Sequence, residues 1–129
     1  MMQAEHRPVV IVVDDDEAVR ESLRFLLDTA GYDAVTFDSA QDYLDHVDGQ
    51  PAACLVLDQH MPQTTGLELL AVLHQRGLDL PTALITGSLS ADIVRQATAL
   101  GAAQVLEKPL VDDALLRFVA CAAYGASIQ

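Results

Sequence analysis

The stretch Val9-Val10-Ile11-Val12-Val13-Asp14-Asp15-Asp16 decides the fold: five β-branched apolar residues in a row, then three carboxylates. A continuous apolar run of this length suits a strand buried on both faces, and such strands belong to parallel sheets covered by helices. Three more apolar runs end in the same manner. Cys54-Leu55-Val56-Leu57 leads into Asp58, Ala83-Leu84-Ile85 into Thr86, and Val105-Leu106 into Glu107-Lys108-Pro109. In an open parallel α/β sheet, ligands bind in the crevice beyond the carboxyl ends of the strands. An acidic cluster, a lone carboxylate, a hydroxyl and an ammonium therefore converge on one edge. That combination points to a divalent cation and a phosphoryl group.

Between these runs the period changes to that of a helix. Val19, Leu23, Leu26, Leu27 and Ala30 fall at i, i+4, i+7, i+8 and i+11, an amphipathic helix that Gly31 stops. Ala34-Val35-Thr36-Phe37 alternates as a half-buried strand does and suits a sheet edge. Ser39 caps a short helix through Tyr43, Leu44 and Val47, ended by Gly49-Gln50-Pro51. Met61 to Gly66 reads as a loop, and Leu67, Leu70, Ala71 and Leu73 give a third helix stopping near Gly77. Ser90 or Asp92 starts a fourth, through Ile93, Val94, Ala97 and Leu100, closed by Gly101. Ala114, Leu115, Phe118, Val119 and Ala122 give the last. The expected fold is a doubly wound (βα)5 parallel sheet in the flavodoxin-like strand order 2-1-3-4-5. Its topological switch then lies between the first and third strands, which makes Asp14, Asp15 and Asp58 neighbours.

At 129 residues the chain fits one domain, with a lead-in over residues 1–8 expected to be disordered, a folded body over 9–124 and a tail over 125–129. The formal charge of −12, from 7 basic against 19 acidic residues, argues against nucleic acid or an anionic membrane as a partner of this domain. No apolar stretch approaches the ~18 residues a membrane span needs. Cys54 and Cys121 read as buried small hydrophobes of a reduced, cytoplasmic protein rather than a disulfide.

Three or four carboxylates within a few ångströms repel one another and must bind protons or share a cation. Mg²⁺ suits such oxygen-rich sites. A carboxylate can also act as a nucleophile, forming an acyl phosphate. Lys108 supplies a flexible positive charge, and the Thr86 hydroxyl can donate to a phosphoryl oxygen. Bland readings apply to some of these residues: Asp16 reads as an N-cap, and Thr86 or Lys108 alone would be ordinary. His6, His46, His60 and His74 show no ligand spacing and read as exposed, with only His60 near the site.

At these residues the chain resembles the receiver domain of two-component response regulators, over roughly Val9 to Ala123. The resemblance rests on Val-Val-Asp-Asp-Asp at 12–16, Leu-Asp-Gln-His-Met-Pro at 57–62 with Gly66, Ile-Thr-Gly at 85–87 and Glu-Lys-Pro at 107–109. The chain is most similar to receivers of nitrogen-fixation and LuxR-type transcriptional regulators. The resemblance implies Asp58 as phosphoacceptor, with Asp14 and Asp15 as the acidic pair. It implies Asp15, Asp58 and the His60 main-chain carbonyl as Mg²⁺ ligands, and Thr86 and Lys108 as phosphoryl-contacting residues. It implies a sensor histidine kinase or phosphotransfer protein as phosphoryl donor, and a phosphorylation-dependent homodimer.

The chain departs from the family pattern in four places. Gln59 follows Asp58 where an apolar residue is common, and Gln63-Thr64-Thr65 replaces an Asp- or Asn-containing loop. Val105 stands where Tyr or Phe is usual, and Leu110 where Phe is common. Because Val105 cannot act as a swinging ring, the response is expected at residues 87–100. Two other classes compete. A haloacid-dehalogenase-type phosphatase would use Asp14-Asp15-Asp16 as its Asp-x-Asp motif, but Ala18 and the missing cap domain weigh against it. A pseudo-receiver that binds without phosphorylation conflicts with the intact acidic set.

Overall fold

The computed structural model describes residues 7–47 and 51–125. Strands and helices alternate: β1 (Val9–Val13), α1 (Glu17–Thr29), β2 (Asp33–Phe37), α2 (Ala40–His46) and β3 (Cys54–Asp58) form the first half. The second half is α3 (Gly66–Gln75), β4 (Thr82–Thr86), α4 (Ala91–Ala99), β5 (Gln104–Glu107) and α5 (Asp112–Tyr124). The five strands are parallel in the order β2-β1-β3-β4-β5, as the sequence pattern predicts.

Strand alternation divides the core into two layers, because successive side chains leave a strand on opposite faces. Ile11, Val13, Leu55, Leu57 and Leu84 pack on one face with Leu69, Leu70 and Leu73 of α3 and Ala97 of α4. Val10, Val12, Cys54, Val56, Ala83 and Ile85 pack on the other with Leu23 and Leu27 of α1 and Leu115, Phe118 and Val119 of α5. Every residue of β3 and β4 is buried, whereas the edge strands β2 and β5 are mostly half-exposed. Each fully buried Leu or Ile contributes about 1.5–3 kcal/mol, so these layers carry most of the stability.

Local chemistry sets where the helices begin and end. Asp16 caps α1 by accepting from the Ala18 and Val19 N–H groups, Ser39 caps α2, and Ser90 rather than Asp92 caps α4. Such caps are each worth about 1 kcal/mol. Gly31 and Gly101, just past α1 and α4, adopt φ of 99° and 97°, a left-handed conformation that other residues resist. Gly49 and Gln50, the expected stop of α2, lie outside the described residues.

Of the lead-in expected over residues 1–8, residues 1–6 lie outside the described residues, and Arg7 is bonded to the folded body. The Arg7 guanidinium donates to the Asp28 and Asp33 carboxylates at 2.9 and 3.1 Å and to the Tyr32 carbonyl at 2.7 Å. Arg7 thus ties the chain entering β1 to the α1–β2 turn, a link between distant segments that no local pattern announces. Of the expected tail, residues 126–129 lie outside the described residues, and Gly125 ends α5. Both cysteines are free, Cys54 buried and Cys121 half-buried. Burial pushes the Cys54 thiol up to about 12, where it stays protonated and unreactive.

Candidate functional site

The sheet register assembles the site. β1 and β3 pair Val13 with Leu57, so the next residues, Asp14 and Asp58, stand side by side at the topological switch. β3 and β4 pair Asp58 with Ile85, and β4 and β5 pair Thr86 with Glu107. The ladder continues past the strand ends: the Gln59 N–H donates to the Ile85 carbonyl at 2.8 Å and the Lys108 N–H to the Thr86 carbonyl at 2.9 Å. Lys108 thereby leaves β5 aimed back over the switch. The peptide bond between Lys108 and Pro109 is cis.

Asp14, Asp15 and Asp58 each offer a carboxylate oxygen within 4.8 Å of the other two. Asp14 and Asp58 are buried and Asp15 is exposed. The Lys108 Nζ lies 3.0 Å from Asp58 Oδ1, an ion pair between a half-exposed ammonium and a buried carboxylate. Asp58 Oδ1 is buried, and the Lys108 ammonium is its close polar neighbour.

Electrostatics follow from this crowding. Asp14 is pushed up to about 6, chiefly by burial, with Asp58 and Asp15 adding repulsion. The Asp16 N–H, donated to Asp14 Oδ1 at 2.9 Å, and the Lys108 charge act the other way. Burial lowers the Lys108 pKa, but Asp58, Asp14 and Asp15 more than offset it, and the net direction is upward. Arg20 of α1 donates to the Asp14 carbonyl at 2.8 Å and holds that corner in place.

The raised Asp14 pKa carries a sign. Ionisation is harder in the folded state, so the Asp14 contribution to metal-free stability is most favourable below pH 3.8, falls as pH rises from there to about 6, and levels off above. Asn at position 14 keeps an oxygen for the Asp16 N–H and removes the charge. Asp14→Asn is therefore expected to stabilise the protein in EDTA at pH 7 by about 2–3 kcal/mol. Urea unfolding of both proteins checks this, and an unchanged or lowered midpoint would count against it.

A hard divalent cation fits the donor set. Oxygen ligands are what Mg²⁺ prefers, and three carboxylates with one ammonium among them leave net negative charge for a cation to neutralise. Of the residues named from sequence, the fold brings Asp14, Asp15, Asp58 and Lys108 into one group. Thr86 stands on the neighbouring strand end, fully buried. Its Oγ1 accepts the Ser88 N–H at 3.1 Å and lies 3.3 Å from His60 Nε2. His60, two residues after Asp58, is exposed as expected. Asp16 faces α1 as its cap and does not join the cluster.

Two contributors lie outside the residues named from the sequence. Gln59 Oε1 accepts the Leu67 N–H at 2.8 Å, and the Gln59 carbonyl accepts the Gly66 N–H at 3.1 Å. Thr65 and Glu68 complete a capping box on α3. The polar residue after Asp58 is thus a structural clamp on the first turn of α3. A Thr–x–x–Glu motif at 65–68 was the available signal for the box; the Gln59 clamp, eight residues from its partner, had none.

The family model for the response regulator receiver domain matches residues 10–120. The chain belongs to that family. The receiver is 40% identical over 110 residues to the transcriptional regulatory protein FixJ of Bradyrhizobium diazoefficiens, covering 85% of this chain and 54% of that protein. It is 42% identical over 110 residues to FixJ of Azorhizobium caulinodans, covering 85% of this chain and 52% of that protein. The chain therefore spans about half the length of these curated relatives. The solved structure of FixJ-N superposes with a TM-score of 0.84 at 30% identity, covering 97% of this receiver and all of that chain. The receiver is thus FixJ-like, of the kind found in two-component response regulators.

Proposed function

We propose that this receiver is a phosphoacceptor switch in which Asp58 takes a phosphoryl group from a phosphohistidine donor, a sensor histidine kinase or a phosphotransfer protein. The observation that carries this reading is the buried Asp58 carboxylate, paired at Oδ1 with Lys108 at 3.0 Å and flanked by Asp14 and Asp15. Asp14, Asp15, Asp58 and the His60 main-chain carbonyl would hold Mg²⁺, which when bound supplies positive charge for the phosphoryl oxygens. Asp58 is the nucleophile, its carboxylate oxygen forming the bond to phosphorus as the donor nitrogen leaves. Lys108 neutralises the developing charge, and the Thr86 hydroxyl offers a hydrogen bond once the group is attached. Residues 9–124 form the domain that carries this chemistry.

The phosphatase reading finds no support, because its second aspartate, Asp16, is occupied as the α1 cap. Phosphorylation would change the affinity for partners, including a second copy of this chain. The exposed Leu89 and Val94 lie on the α4 side that would respond, while Val105 is packed against the core. The charge of −12 supports a domain that does not itself bind nucleic acid. No helix among the described residues is long and apolar enough to cross a membrane. The two free cysteines support a reducing, cytoplasmic setting.

Incubation with acetyl phosphate and Mg²⁺ followed by intact mass tests the proposal. Wild type should gain one phosphoryl group and Asp58→Asn none; a phosphorylated Asp58→Asn protein would refute it. Mg²⁺ should also stabilise the fold. At ten times Kd the gain is about 1.4 kcal/mol, a few degrees in Tm. Asp15→Asn should lose that gain, and an equal Mg²⁺ shift in the variant would remove Asp15 as a ligand.

A further inference from the structure

Thr86 carries a hydroxyl that two loops share. Its side chain is 0% exposed, yet Oγ1 is reached by the Ser88 N–H on the β4–α4 loop at 3.1 Å and by His60 Nε2 on the β3–α3 loop at 3.3 Å. A hydroxyl has one proton and two acceptor sites. Ser88 fills one acceptor site, and the imidazole takes a second valence, giving or receiving the proton according to its tautomer. A phosphoryl group presents only acceptor oxygens, so Thr86 has to direct its proton there to contact one. Thr has a stiff χ1 torsion, and its single oxygen leaves the imidazole when it turns towards Asp58.

We propose that His60 is a positioning residue whose imidazole latches the Thr86 hydroxyl in the resting orientation and is released when Asp58 carries a phosphoryl group. This rests on the reading of Asp58 as phosphoacceptor and deepens it. The imidazole is exposed, so burying the ring is not what it contributes; its polar contact within the protein is with Thr86. The latch belongs to the resting state alone. Breaking it is part of the work of activation, and it sets how readily the unphosphorylated receiver samples the active arrangement. It also gives the β3–α3 loop a link to the phosphoryl state that does not pass through residue 105.

Beryllofluoride, which mimics the phosphoryl group, provides the test. Its apparent affinity in the presence of Mg²⁺ is read from the Gly87 and Ser88 backbone amide shifts. Substitution of the side chain leaves the His60 carbonyl in place. His60→Ala is expected to bind beryllofluoride about fivefold more tightly, because one resting-state hydrogen bond no longer has to break. His60→Gln, which keeps a polar group within reach, should return towards wild type. In a Thr86→Val background, His60→Ala should change the affinity no further, the outcome a merely structural histidine would not give. Unchanged or weaker binding by His60→Ala, or the same gain without the Thr86 hydroxyl, would overturn the latch while Asp58-dependent binding persists. Undiminished binding by Asp58→Asn would instead overturn the phosphoacceptor reading, and the latch with it.

Discussion

Alanine at position 66 is expected to lower the stability of the receiver by about 2 kcal/mol and to slow phosphoryl uptake by about a hundredfold. An added Cβ at Gly66 would lie 2.7 Å from the Asp58 carbonyl oxygen and 2.7 Å from Leu84 Cδ1. Neither neighbour can step aside easily. The carbonyl belongs to the peptide that α3 grips through Gln59, and Leu84 is a fully buried core residue. Overpacking of this kind costs about 1–3 kcal/mol, and the better helix propensity of Ala returns only about 0.5–1 kcal/mol. Relief of the clash shifts the Asp58–Gln59 peptide, and with it the Asp58 carboxylate. Gly87→Ala is the control, since a Cβ there meets nothing within 4 Å. Thermal unfolding and acetyl phosphate kinetics of the two variants check the contrast. Equal behaviour of the two would refute the role given to Gly66.

Lys108→Ala is expected to slow phosphoryl uptake by about a hundredfold, the usual loss when one preorganised charge-stabilising donor is removed. The ammonium is the cation 3.0 Å from Asp58, and no other salt bridge to Asp58 occurs among the described residues. Its effect on stability is smaller. Asp58 is 3% exposed but Lys108 is 37% exposed, so water screens the pair and about 1–2 kcal/mol is lost. The raised Lys108 pKa gives the sign: its contribution is present below pH 10.5 and disappears as pH rises through the higher folded value. Rates for wild type, Lys108→Ala and Lys108→Arg separate charge from geometry, with Arg restoring part of the rate. A Lys108→Ala protein that reacts at the wild-type rate would remove Lys108 from the chemistry.

The parts of the molecule legible in sequence are those encoded over a few residues. The run Val9–Val13 alternates between two buried faces, so no polar residue interrupts it, and its first carboxylate marks where the sheet stops. Asp16, Ser39 and Ser90 announce their helices because a cap bonds within three residues. Asp14 and Asp58 become neighbours through strand order, which connection handedness and length restrict. What escaped the sequence is side-chain reach across loops. Arg7 meets Asp28 and Asp33, Arg20 meets the Asp14 carbonyl, and His60 meets Thr86. Each pairing depends on tertiary placement, and spacing says nothing about it. Gln59 is the clearest case. It departs from the family pattern at a position where an apolar residue is common, and in the fold it bonds the Leu67 N–H and steadies the loop that follows Asp58.

The central claim is that Asp58, and none of the other carboxylates of the cluster, carries the phosphoryl group. An acyl phosphate is reduced by borohydride to an alcohol, which converts the modified aspartate to homoserine and leaves free carboxylates unchanged. Phosphorylation with acetyl phosphate and Mg²⁺, borohydride reduction and peptide sequencing by mass spectrometry should place homoserine at position 58 alone. Homoserine at position 14 or 15, or none at position 58 in a protein that has gained phosphate, would contradict the account.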